Sequence, residues 1–255
     1  MIRLFGRSSL SPPKPSSRRG FRGWFIRLCR RISFFVVLLL LLPVVAIIAF
    51  RWVPVPFSSF MLIRQVERLL PGSEVPPMHY QWVNLEDISP LMPLAVIAGE
   101  DQRFPDHWGF DFRAISQALD YNNKHSRKMR GASTISQQTA KNLFLWGERS
   151  LLRKGLEAGL TLCMEIVWSK ERILEIYLNI AEFGDGIYGV KAASKELFTT
   201  SPARLTRRQV ALLAAVLPNP RRFHANHPTP YILNRARWIE SNMGRLGGTR
   251  YLEQL

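Results

Sequence analysis

Glu100 and Asp101 stand side by side where the apolar run Leu94, Ala95, Val96, Ile97 gives out. The run predicts a buried helix, and a carboxylate at the end of such a helix is partly desolvated. Desolvation raises its pKa and suits it to carry protons near neutral pH. The same two residues would also fit a solvated acidic pair at a helix end. Farther along, Glu157 follows Arg153 and Lys154 at helical spacing, which sets one carboxylate beside two cations. On an exposed surface such a pair is worth roughly a few tenths of a kcal/mol. Between the two acids, Gln137, Gln138, Lys141 and Asn142 place polar groups beside apolar Leu143, Phe144 and Leu145. A proton carrier and a set of cations are the two kinds of chemistry on offer.

Helices must hold these groups. Asp111 can cap a helix whose Phe112, Ile115 and Leu119 share one face. Asn122 to Gly131 is polar and basic and reads as a mobile loop. The next helix starts inside Gly131-Ala-Ser-Thr-Ile-Ser-Gln-Gln138, where Thr134 and Gln137 have capping-box spacing. A long helix follows over Ser150 to Ser169, apolar at Leu152, Leu156, Leu160, Cys163 and Val167, and another begins at Lys170. The glycines of Phe183 to Gly189 suit tight backbone geometry and not a phosphate cradle. Thr206 and Gln209 form a second capping box, for a helix Val210 to Leu217 stopped by Pro218 and Pro220. A last helix covers Pro230 to Arg245. Residues 71 to 90, rich in proline, form a connector with a short extended piece over His79 to Leu85.

The formal charge of +16 over 255 residues is uneven. Residues 1 to 31 carry nine Arg or Lys and no acid, leaving 26 basic against 19 acidic side chains elsewhere. Residues 1 to 23 are too poor in apolar surface to fold. Ile32 to Phe50 holds no charge, and its nineteen residues at about 1.5 Å each match the hydrocarbon core of a bilayer. The run is longer than a signal-peptide core, and Phe50-Arg51-Trp52 is no small-x-small cleavage site. It therefore reads as an uncleaved transmembrane helix. The basic flank keeps the N-terminus in the cytoplasm, and residues 51 to 255 are exported. A basic tail ending at an apolar segment points to a bilayer and not to nucleic acid. Pro54 to Leu70 is apolar, then amphipathic, which fits either a first core helix or a surface dipping into the outer leaflet. Cys29 and Cys163 fall on opposite sides of the span, so no disulfide is expected. No zinc-like cluster, phosphate loop or dinucleotide fingerprint occurs.

Glu100-Asp-x-x-Phe104-x-x-His107-x-Gly109 resembles the first motif of the bacterial peptidoglycan glycosyltransferases, which polymerise lipid II alone or as the first domain of large penicillin-binding proteins. Gly131-Ala-Ser-Thr-Ile-x-Gln-Gln138 is similar to their second motif, Arg153-Lys-x-x-Glu157 to the third, and Lys170-Glu-Arg-Ile-Leu-Glu-Ile-Tyr-Leu-Asn179 to the fourth. Gln209 to Pro220 resembles the fifth, although Arg221-Arg222-Phe223-His224 departs from the expected Tyr-Asn-Pro ending. No transpeptidase half follows, so the resemblance is to the monofunctional members.

What the resemblance implies is an all-α, lysozyme-like glycosyltransferase domain over residues 91 to 245. A small membrane-proximal jaw with its connector covers 51 to 90, the transmembrane helix 32 to 50, a cytoplasmic tail 1 to 31, and a C-terminal tail 246 to 255. It implies Glu100 as the base that takes the proton of the acceptor sugar's 4-hydroxyl, and Glu157 as the second carboxylate. Lys141, Arg149, Arg153, Lys154 and Lys170 are implied to meet the lipid pyrophosphate. Asp101, Phe104, His107, Ser133, Thr134, Gln137, Gln138 and Asn142 are implied on the substrate side. No covalent cofactor is implied, though a divalent cation, Mg or Mn, is a candidate at the pyrophosphate. The implied partners are lipid II, the nascent glycan strand, the bilayer, and penicillin-binding and division proteins. The implied location is the inner membrane, crossed once, with the catalytic domain in the periplasm. Two other classes remain open at this point. A lytic glycan hydrolase would also use paired carboxylates, but needs a general acid and not a crowd of cations. A non-catalytic membrane scaffold leaves the motifs around the carboxylates without a reason.

Overall fold

The computed structural model describes residues 18 to 124 and 131 to 255. The chain divides into two compact units between Leu42 and Pro43. Over its described residues the first unit is the larger part of helix α1 (Arg18–Phe50), which contains Pro43. Residues 1 to 17 of the expected unfolded tail lie outside the described residues. From Arg18 to Phe50 the backbone is helical, so residues 18 to 23 are not the unfolded chain that composition suggested. Among the described residues no helix is long and apolar enough to cross a membrane. The side chains of Val36, Leu39 and Leu40, inside the apolar run, are not among those described.

The second unit is built around α3 (Leu91–Glu100), where every residue from Met92 to Ala98 is buried. A helix apolar on all sides must be surrounded. Helices α9 (Arg207–Val216) and α10 (Pro230–Arg245) enclose it, and all seven residues from Val210 to Val216 are buried as well. Beside them α5 (Ile135–Phe144) packs on α6 (Leu151–Val167) and α7 (Lys170–Ile180). Helix α2 (Ser59–Leu69) lies against α5, tied there by the Ser59 hydroxyl, which donates to the carbonyls of Asn142 and Leu145.

The capping boxes form as their spacing predicts. The Thr134 and Thr206 hydroxyls accept from the N–H groups of Gln137 and Gln209, whose side chains reach back to the cap backbone. Because Thr206 is the cap, α9 starts at Arg207, three residues before its apolar run. Ser150 and Ser169, expected inside one helix, instead cap α6 and α7. Asp111 also caps as expected, accepting from the N–H groups of Arg113 and Ala114 at 3.0 Å each. The helix it opens, α4 (Phe112–Lys124), leaves Phe112 75% and Leu119 58% exposed, so its apolar face is not core. α4 continues through Lys124, past the point where polarity assigned a loop. Residues 125 to 130 of that loop lie outside the described residues.

The domain is mostly helical but not all-α. Three short strands, β1 (His79–Tyr80), β2 (Glu182–Gly184) and β3 (Ile187–Tyr188), form a sheet in the order β1-β3-β2. β3 runs parallel to β1 and antiparallel to β2. Strands of two or three residues carry no readable alternation. The glycine turn makes the sheet possible. Gly189 sits at φ +79°, and a Cβ there would stand 2.5 Å from the carbonyl oxygen of Asn179. Past α10, a 3-10 segment over Gly248–Gln254 closes the chain, and helix α8 (Gly189–Phe198) lies over the sheet.

Candidate active site

Glu100 is the last residue of α3, and its side chain is 13% exposed. Both carboxylate oxygens are engaged. Gln138 Nε2 on α5 donates to Oε2 at 3.0 Å, and Arg235 Nη2 on α10 donates to Oε1 at 3.1 Å. Burial pushes the Glu100 carboxyl above its ordinary value, and the Gln138 hydrogen bond and the Arg235 charge hold it back. Tyr177, buried on α7, donates its hydroxyl to Gln138 Oε1 at 3.1 Å. Helices α5 and α10 thus reach the carboxylate directly, α10 through an ion pair, and α7 reaches it through Gln138.

The neighbouring Asp101 points elsewhere. Its carboxylate lies 3.0 and 3.2 Å from His107 Nε2 and accepts from the Ile135 N–H at 3.0 Å, the first turn of α5. An anion at a helix start is favourably placed. The Thr134 hydroxyl donates to the Gly109 carbonyl at 2.6 Å. Asp101, Phe104, His107, Thr134 and Gln137 are all buried, and their polar atoms serve the joint between the Glu100 segment and α5. This joint fixes the distance between Glu100 and Gln138.

A cleft of about 840 Å³ runs beside this joint, between α2, the end of α5, Trp146 to Glu148 and the segment Leu217 to Arg221. Gln138, Lys141, Asn142 and Tyr177 line it. Glu157, 2% exposed, receives Arg153 Nη1 at 2.6 Å and the Lys154 ammonium. Buried on α6, this is not the surface pair that spacing alone allowed. Arg153 is held again by its Nε, which donates to the Glu148 carbonyl at 2.7 Å. Lys141 lies over the Phe60 ring of α2, 5.6 Å from its centroid, and among the described residues no carboxylate comes within ion-pair distance of its ammonium. Burial pulls the Lys141 ammonium below its ordinary value. Glu157 and Glu100 draw it back up, while Arg153 and Lys154 push it down. The ammonium therefore feels both acids and pairs with neither.

Three expected members lie apart from this cluster. Lys170 donates to Glu165 Oε1 at 2.8 Å and to the His107 carbonyl, and covers the Phe104 ring at 4.7 Å. Together with Trp108 and Trp168 it lines a separate recess of about 260 Å³, not the cleft that Lys141 lines. Ser133 and Arg149 are exposed, Ser133 just before α5 and Arg149 in the loop between α5 and α6. Sequence reasoning missed Arg235, Tyr177, Glu182 and Arg221. The last two pair across the cleft wall at 3.2 Å, and burial raises the Glu182 carboxyl while Arg221 opposes the rise. Arg221 falls where the fifth motif departs from its expected ending, which was the available signal. Nothing local marks Arg235, an arginine on a basic helix 135 positions from its partner.

The family model described as Transglycosylase matches residues 71 to 244, from the connector to the end of α10. The chain is 57% identical over 205 residues to a biosynthetic peptidoglycan transglycosylase of Escherichia coli O127:H6 (strain E2348/69 / EPEC), covering 80% of this chain and 85% of that protein. It is 52% identical over 235 residues to a protein of the same name from Pectobacterium carotovorum subsp. carotovorum (strain PC1), covering 92% and 95%. The matched span holds both carboxylates, the amide and cation set of α5 and α6, and the arginine that reaches back to Glu100, and the chain belongs to the transglycosylase family.

Proposed function

We propose that this chain polymerises lipid II into β-1,4-linked glycan strands with release of the lipid pyrophosphate, as a peptidoglycan glycosyltransferase of cell-wall synthesis. The observation that carries the reading is a desolvated carboxylate, Glu100, hydrogen-bonded to the cleft-lining Gln138, within electrostatic reach of a desolvated ammonium, Lys141, that lines the same cleft. Glu100 takes the proton of the acceptor's 4-hydroxyl, whose oxygen attacks the anomeric carbon of the donor. The bond from that carbon to the pyrophosphate oxygen breaks, and its electron pair leaves with the pyrophosphate. With one displacement and no covalent intermediate, an α-linked donor gives a β-linked product. The anion needs no proton in order to leave but does need charge, and Lys141 can recover in a phosphate contact the hydration it has lost. Glu157 gathers Arg153 and Lys154 on the same side. Both its oxygens are taken by cations, a donor set ill suited to a divalent ion, and no step is assigned to one.

In this reading Ile32 to Phe50 spans the inner membrane. Support comes from its lack of charge and from the exposure of Phe34, Phe35, Leu38 and Leu41, apolar surface that seeks lipid. Leu62, Val66 and Leu69 on α2 are also exposed and would rest on the outer leaflet, bringing the cleft to a lipid-borne substrate. The test is product analysis of the detergent-solubilised full chain, given labelled lipid II and finished glycan strands in parallel. Long polymer with intact strands is expected. Shortened strands with untouched lipid II would make it a hydrolase.

A further inference from the structure

We infer that Tyr177 is a positioning residue for the base: its hydroxyl fixes the Gln138 amide so that the NH2 group, and not the carbonyl, faces Glu100. The inference rests on the reading of Glu100 as the base. An amide head can flip end for end with little steric change, and only its neighbours decide which end points where. An ionised carboxylate is acceptor-only, so it requires the NH2 end. At the other end stands a phenol, which can donate or accept. Burial, reinforced by the charges of Glu100 and Asp101, raises the pKa of Tyr177 and keeps it a neutral O–H. With its hydroxyl given to Oε1 at 3.1 Å, Nε2 is left to Glu100 at 3.0 Å. The reversed amide suits only a protonated Glu100, which would donate to Oε1. The Tyr177 donor therefore biases the network toward the ionised base, the form that can accept the sugar proton.

The other groups acting on Glu100 are Arg235 from α10, Lys141 from α5 and Asp101 from the end of α3. None of them touches the Gln138 carbonyl in the described contacts, so the Tyr177 contribution is separable from theirs. Tyr177→Phe keeps the ring that lines the cleft and removes only the donor. On lipid II, Tyr177→Phe in the full chain is expected to lower kcat about three- to tenfold, with KM unchanged within about twofold. The acid limb of the pH–rate profile should rise by roughly half to one pH unit, because the ionised form loses support. Gln138→Met should raise the same limb, and adding Tyr177→Phe to it should move the limb no further.

An unmoved limb in Tyr177→Phe, an effect on KM alone, or full additivity in the double variant would overturn the assignment. If Tyr177→Phe does not fold, the limb of Gln138→Met decides, and an unmoved limb there also overturns it. Glu100→Gln run alongside separates the two readings. If it retains full turnover, base and positioning residue fall together; if it is inactive and the limb is unmoved, only Tyr177 falls.

Discussion

At Glu100 two opposed influences set the chemistry: burial that favours the protonated acid, and two donors that favour the ion. Burial is the larger, so the acid limb of turnover should lie above the ordinary carboxylate range. Activity should fall as pH drops through that raised value, because a protonated Glu100 cannot accept. Glu100→Gln is expected to cost a hundredfold or more in turnover, the usual scale for a lost general base. It should leave the melting temperature near wild type, since folding gains nothing at neutral pH from a carboxylate whose pKa it raises. A drop of many degrees would make Glu100 chiefly structural. Glu157 behaves differently, being a buried anion clasped by Arg153. Glu157→Ala strands that cation and should cost about 3 kcal/mol or more, read as a lower thermal midpoint together with lost activity. The acids and the α5 amides were legible because their spacing is local. Arg235 and Tyr177 were not, because a partnership across 135 or 39 positions exists only after the chain has folded.

Helix starts carry their own chemistry in the sequence, which is why Thr134, Thr206 and Asp111 were found from residue type and spacing alone. The sheet has no such local marker, and the chain just past β1 is held by a side chain of a distant element. Asn179, fully buried on α7, accepts from the Val83 N–H and donates to the Val83 carbonyl, each at 2.9 Å, standing in for a missing strand. Asn179→Leu leaves both backbone groups buried without partners, at about 1–3 kcal/mol each. The expected result is faster amide exchange over residues 79 to 85, with α3 still protected; uniform loss of protection would mean that Asn179 holds the whole domain. Gly189 is the companion case. Gly189→Ala meets both the positive φ and the Asn179 carbonyl, and is expected to destabilise by about 1–3 kcal/mol from the backbone conformation alone. An unchanged thermal midpoint would show that the turn can move aside.

For the molecule as a whole, the uneven charge makes a prediction about sidedness that the cleft cannot make. Nine of the 35 basic residues precede the apolar run, unaccompanied by acid, which favours retention of that flank in the cytoplasm. Cys29 lies within the flank and is exposed, whereas Cys163 is partly buried on α6 beyond the run. In a Cys163→Ala chain, Cys29 is therefore the sole thiol. A membrane-impermeant maleimide should leave it unlabelled in intact spheroplasts and label it in inside-out vesicles, while protease added to the spheroplasts degrades the catalytic unit. Labelling from outside would place the basic flank beyond the membrane. The cleft would then face a compartment without exported lipid II, so the topology and the proposed substrate stand or fall on the same thiol.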